Sequence, residues 1–199
     1  MSNIRFGIVG SGYMGKTHSE AVNRLPNADL IAVAGGSRAP ALAAEYKVDF
    51  EADIDALLRR KDIDAVVITT PHHLHFEQAM LAMQEKKHVL VEKPMTETLE
   101  QARSLIEIAA AAGRILQVGH LERFNAAILA AEPSLHEPRF LECHRLAPFR
   151  ERGTDVNVVL DLMIHDIGIL QSIVRSPIVS IDAVGTPVFS DEIDIANAR

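Results

Sequence analysis

Ile4-Arg5-Phe6-Gly7-Ile8-Val9 runs straight into Gly10-Ser11-Gly12-Tyr13-Met14-Gly15, and this junction limits what the chain can fold into more than any other stretch. The apolar run suits a strand, the glycines follow the spacing G-x-G-x-x-G, and residues 13–24 read as a helix ended by Pro26. Each glycine has its own task in such a turn. Gly10 lets the chain leave the strand sharply, Gly12 lets backbone N–H groups approach a pyrophosphate, and Gly15 lets the helix pack on the sheet. The phosphates then face the positive N-terminus of the helix. A dinucleotide-binding turn is predicted, with Tyr13 and Met14 among the residues facing the cofactor; the alternative is an ordinary glycine-rich strand-to-helix turn.

Strand and helix keep alternating after that turn. Residues 28–34 form an apolar run with little alternation, as strands covered on both faces do. NAD sites in such folds place an acidic residue at the end of this strand, whereas NADP sites omit it and offer Arg. Here the chain reads Gly35-Gly36-Ser37-Arg38. NAD or NADP is therefore the expected cofactor, with Ser37 and Arg38 able to meet a 2′-phosphate; Arg38 as a solvated loop charge or an adenine stack is the alternative. Residues 39–46 and 54–59 suit helices around an extended piece at 48–50, and 64–69 suit a strand running into Thr70-Pro71-His72-His73-Leu74-His75. No Cys or carboxylate sits at ligand spacing beside these histidines, so no metal is expected. Pro71 marks a strand-to-helix turn at the carboxyl edge of the sheet, which predicts that Thr70, Pro71, His72 and His75 line the cofactor pocket.

A helix over 76–86 and a strand over 88–91 lead to Glu92-Lys93-Pro94. Strand exits are where open α/β sheets bind ligands, so a Lys held by a following rigid Pro can reach a substrate; an exposed Lys at a strand end is the bland alternative. Glu92 is placed with the cofactor-binding residues. A helix over 98–112, stopped by Gly113, and a strand over 115–118 complete residues 1–120, an NAD(P)-binding domain.

Residues 121–199 have a different rhythm and predict a partial α+β domain for substrate binding or oligomerisation. Residues 140–146 and 178–189 alternate like half-buried strands, 156–174 suit an apolar helix, and 191–199 look like the start of a strand with nothing to pair against. Asp161 and His165 lie four apart on that helix, with Gly168 and Ser172 continuing the face. A carboxylate one turn from an imidazole holds the ring and favours its charged form, which suits a general base; a satisfied interface histidine is the alternative. Asp166 points about 100° away and is expected to cap or pair structurally.

A formal charge of −7, from 20 Lys and Arg against 27 Asp and Glu, does not suit a nucleic-acid binder. No apolar run approaches the ~20 residues of a membrane span. Cys143 cannot form an internal disulfide and no leader precedes the glycine turn, so a cytoplasmic protein is expected.

Together the glycine turn, Thr70-Pro71 with His75, Glu92-Lys93-Pro94 and Asp161-x-x-x-His165 resemble the glucose–fructose oxidoreductase, inositol dehydrogenase and MocA family across essentially the whole chain. The resemblance implies a Rossmann domain followed by an open-sheet α+β domain. It also implies oxidation of a sugar hydroxyl by nicotinamide, with Lys93, Asp161 and His165 as catalytic residues. Residues 119–125 and 143–154 are similar to those members that oxidise the 3-hydroxyl of a UDP-linked N-acetylhexosamine, which implies Arg123, Asn125, Arg145 and Arg150 as substrate-binding residues. A free polyol or another sugar, or a dinucleotide-binding regulator without catalysis, are the alternatives. Gly35 departs from the acid that NAD-dependent members carry. Family members are also longer than 199 residues, so an unfinished second domain is expected here and a homo-oligomer is expected of the full-length protein.

Overall fold

A computed structural model describes residues 3–148 and 156–199, in two units, Met1–Gly119 and His120–Arg199. In chain order the first unit contains β1 (Ile4–Val9), α1 (Tyr13–Arg24), β2 (Ala28–Ala34), α2 (Ala39–Tyr46), β3 (Asp49–Glu51), α3 (Ile54–Arg59), β4 (Ala65–Ile68), α4 (His75–Gln84), β5 (His88–Val91), α5 (Leu99–Ala112) and β6 (Leu116–Val118). The six strands form one parallel sheet in the order β3-β2-β1-β4-β5-β6. The direction of winding reverses between β1 and β4, which opens a crevice at the carboxyl ends of those two strands.

The sheet forms because its strands are apolar on both faces and helices cover both. Successive residues of β1 and β4 go to opposite sides: Val9, Val66 and Ile68 join Leu57, Met83 and Leu105, while Ile8 and Val67 join Val22, Val33 and Leu42. Burying each such side chain contributes about 1.5–3 kcal/mol. Thr98 and Gln101 form a reciprocal capping box at the start of α5, and Gly113 ends it in the left-handed conformation. Such a cap is worth about 1 kcal/mol.

The second unit departs from the sequence expectations. Residues 140–146 form no strand, and Phe140 and Leu146 are largely exposed, because alternation stabilises a strand only where a partner takes up its hydrogen bonds. The strand expected over 178–189 shrinks to β7 (Ala183–Thr186). Residues 191–199 are not unpaired: β8 (Ile195–Ala198) pairs antiparallel with β7. Asp194 builds the connection by accepting the backbone N–H groups of Val188, Phe189 and Ser190, which hold its carboxyl well below the usual range. The apolar helix starts as a π-helical turn over Val159–Met163 and continues as a regular helix over Ile164–Ile173, with Ile169 its buried residue. A shorter helix, Ala126–Ala131, precedes it; these two are called α6 and α7 in chain order.

Candidate functional site

Gly10 leaves β1 at φ +104° and donates its N–H to the carbonyl of Ala34 on β2 at 2.8 Å. A Cβ there would lie 2.6 Å from Thr69 Oγ1, and one on Gly15 would lie 2.0 Å from the carbonyl oxygen of Gly10. Gly12 differs, because a Cβ on it would meet nothing within 4 Å. Two glycines are thus required by packing, and the third faces open space. At that point α1 begins with no side-chain cap and no acidic residue in its first turn, so its positive end is left for an anion. The turn has the form that suits a dinucleotide pyrophosphate, and Tyr13 and Met14 are the first two residues of the uncapped helix.

Beside it lies a cavity of about 520 Å³ between α1 and α2, lined by Ser11, Gly12, Tyr13, Lys16, Thr17 and Arg38 among others. Gly35 and Gly36 have φ of +80° and +82°, and a Cβ on Gly36 would lie 2.7 Å from Ser11 Oγ. Ser37 and Arg38 follow, both exposed, at the start of α2. A larger cleft of about 720 Å³ lies at the opposite edge of the sheet, and several of the charges around it are paired with one another. Arg5 grips Asp64, whose pKa falls to about 2 through that pairing; Lys61 binds Glu85, and Lys87 donates to the carbonyl of Ile63.

The three histidines after Pro71 separate. Exposed Pro71 leads into a 3-10 turn over His72–Leu74, and His72 Nε2 lies 3.6 Å from Glu97 Oε1. His75, expected to line the cofactor pocket, is instead only 1 % exposed. Its Nδ1 sits 2.8 Å from the carbonyl oxygen of Pro94 and its Nε2 2.8 Å from that of Thr70. The ring braces the exits of β4 and β5 against each other, and burial pushes its pKa below the ordinary value. Thr70 donates its hydroxyl to Gln78 Oε1. Among the described residues no three His, Cys, Asp or Glu side chains come together as metal ligands would.

Glu92 also departs from expectation. Its carboxylate turns inward, 7 % exposed, where Oε1 accepts from His18 Nε2 at 2.7 Å and Oε2 from the N–H of Lys93 at 3.3 Å. Lys93 itself is half-buried at the exit of β5, on the same edge of the sheet as the glycine turn. His18 was not among the sequence-predicted site residues. A signal was present, since His18 shares a helical face with Gly15, Ser19 and Val22, all buried, and a polar side chain on such a face needs a partner.

In the second unit Asp161 lies in the π-helical turn and His165 in α7, both half-buried. A cavity of about 460 Å³ is lined by His120, Arg123, Ile164, Gly168, Gln171 and Ser172 among others. Two proposed substrate ligands are engaged elsewhere. Arg145 makes a side-on pair with Asp166, Nε at 3.0 Å and Nη2 at 2.8 Å, which confirms the structural role expected of Asp166. Asn125 caps α6, its Oδ1 accepting from Ala127 N and its Nδ2 donating to Glu122. Arg123 is exposed on the wall of the cavity, and Arg150 lies outside the described residues.

The chain belongs to the oxidoreductase family with an NAD-binding Rossmann fold, named for glucose–fructose oxidoreductase, inositol dehydrogenase and MocA, whose family model matches residues 4–120. Over all 199 residues it is 36% identical to UDP-N-acetylglucosamine 3-dehydrogenase of Acidithiobacillus ferrooxidans, and it spans 63% of that protein's length. The solved structure of that dehydrogenase superposes on the whole chain with a TM-score of 0.91, 65% of the solved chain being covered. Inositol 2-dehydrogenase 4 of Saccharopolyspora erythraea is 32% identical over 179 residues, 83% of this chain and 53% of that protein. No helix among the described residues is long and apolar enough to cross a membrane.

Proposed function

We propose that the protein is an NAD(P)-dependent sugar dehydrogenase that oxidises the 3-hydroxyl of a UDP-linked N-acetylhexosamine. The observation that carries this reading is the position of Lys93. It sits at the exit of β5, on the edge of the sheet where the open glycine turn lies, a placement that dinucleotide binding alone does not need. The identity with UDP-N-acetylglucosamine 3-dehydrogenase along the whole chain favours the nucleotide sugar over a free polyol. In this reading residues 1–120 hold the cofactor and 121–199 contribute to substrate binding and to a homo-oligomer, in the cytoplasm.

A bound nicotinamide supplies the hydride acceptor. The first turn of α1 holds the pyrophosphate, and Ser37 and Arg38 accommodate a 2′-phosphate, so NADP binds as well as NAD. Within the second unit His165 takes a hydroxyl proton on its imidazole and Asp161, one turn away, orients that ring; within the first, Lys93 at the exit of β5 is a donor for a substrate oxygen on which charge develops. Arg123 binds the substrate diphosphate.

The test is a turnover screen that follows nicotinamide absorbance with UDP-N-acetylglucosamine, other UDP-sugars and myo-inositol, each with NAD and NADP. UDP-N-acetylglucosamine is expected to be oxidised fastest. His165→Ala and Lys93→Met should each lower turnover about 10²–10⁴-fold, the scale of a lost acid–base group, with cofactor affinity nearly unchanged. Arg38→Ala should weaken NADP more than NAD. Near wild-type turnover in both catalytic variants overturns the assignment, and tight cofactor binding with no sugar oxidised favours a binding protein.

A further inference from the structure

We infer that His18 is a positioning residue which, through the buried carboxylate of Glu92, sets where Lys93 stands relative to the glycine turn; the inference rests on the reading of Lys93 given above. Glu92 is anchored on both sides of its Cα. Its N–H donates to the carbonyl of Ile68 on β4 at 3.0 Å, and its side chain turns into the protein. A carboxylate removed from water needs donors close by, and two are present. His18 Nε2 is 2.7 Å from Oε1, and the N–H of Lys93 is 3.3 Å from Oε2. The next strand exit closes in from the other side, since a Cβ on Gly119 would lie 2.8 Å from Oε1 and 2.9 Å from Oε2. The carboxylate is therefore a junction of α1, the β5 exit and the β6 exit.

The position of His18 makes this junction matter for chemistry. It lies one turn beyond Gly15 on the buried face of α1, and the N-terminus of that helix is the phosphate-binding end. A short hydrogen bond between two buried side chains is directional, so a slide or rotation of α1 is transmitted to Glu92. Lys93 is the next residue in the chain. The His18–Glu92 bond thus links the end of α1 that holds the cofactor's phosphates to the segment that carries the candidate catalytic amine. An error of about 1 Å in such a placement can lower turnover about 10²-fold.

Three variants of the chain test this: His18→Gln, whose amide N–H falls near the place of Nε2, and His18→Leu and His18→Asn, which present no donor there. All are compared at a temperature where circular dichroism shows them folded, and should His18→Leu not fold, His18→Asn takes its place. The variant without a donor should lower kcat about 10–100-fold, while dinucleotide Kd from nicotinamide fluorescence stays within about threefold. His18→Gln should return kcat to within a few-fold of wild type. Unchanged kcat without the donor, a kcat that falls only in step with cofactor affinity, or no recovery in His18→Gln overturns the inference. Should the wild-type chain oxidise no sugar, the proposed function fails separately. The junction is then read from amide hydrogen exchange at Lys93. Exchange at least tenfold faster without the donor, and near wild type in His18→Gln, supports it; equal exchange in all variants overturns it.

Discussion

His75 shows how a single side chain can be read for the wrong role. Its spacing after Pro71 suggests a pocket wall, yet the structure encloses the ring between the carbonyls of Thr70 and Pro94. Those carbonyls favour the charged ring, but burial outweighs them and lowers its pKa. Below its ordinary pKa of about 6.5 the unfolded chain therefore takes up a proton that folded His75 resists. Stability should fall as pH drops through that region and level off below the folded pKa. Urea midpoints at pH 7.5 and 5.5 should differ by more in the wild type than in His75→Gln, and equal differences would remove His75 from the account. The sequence offers Lys93 as a candidate through its place at a strand exit before a rigid Pro, and Asp161 and His165 through a polar stripe on an otherwise apolar helix. His18 was not legible in this way, because its partner lies 74 residues away and only the folded sheet brings the two together. Arg145 and Asn125 misled for a related reason: a charge or an amide in a sequence does not show which neighbour engages it.

At the scale of elements, the glycine turn separates packing from binding. Gly15→Ala drives a methyl into the Gly10 carbonyl and should destabilise the fold by about 1–3 kcal/mol, the range of overpacked sites. Gly12→Ala meets open space, so its melting curve should follow the wild type while dinucleotide affinity measured by calorimetry falls at least tenfold. Loss of stability at Gly12, or unchanged affinity there, would count against the turn as a pyrophosphate site. The helices α1, α2 and α3 and the strand β2 have the limits the sequence predicts, since apolar runs covered on both faces and punctuated by Gly and Pro leave few alternatives. Local pattern was a poor guide in the second unit. The run at 140–146 alternates without pairing, the run at 178–189 pairs over only four residues, and the apolar helix opens with a π-helical turn. Pairing depends on what lies opposite, which periodicity does not encode.

At the scale of the whole molecule, buried apolar side chains are concentrated in the first unit, with Ile169 the exception among the described residues of the second. Val179 is 95% exposed and Val184 71%, and the ribbon of β7 and β8 pairs with no third strand among the described residues. Such edges and patches promote association. Light scattering at micromolar concentration should give a mass above one chain, and Val184→Lys should lower it; a monomer mass in the unsubstituted protein would sink this. Gly35 and Gly36 bear on how such a protein could change over evolutionary time or under redesign. Both hold backbone angles that a side chain strains, and Gly36 has Ser11 directly against it. An acid placed at either position by a single substitution would be held in a strained backbone conformation and would have to displace the side chain of Ile54 or Ser11. Cofactor preference should therefore be hard to alter at the turn itself, and a laboratory or lineage selecting for a switch would find its first accessible mutations at Ser37 and Arg38.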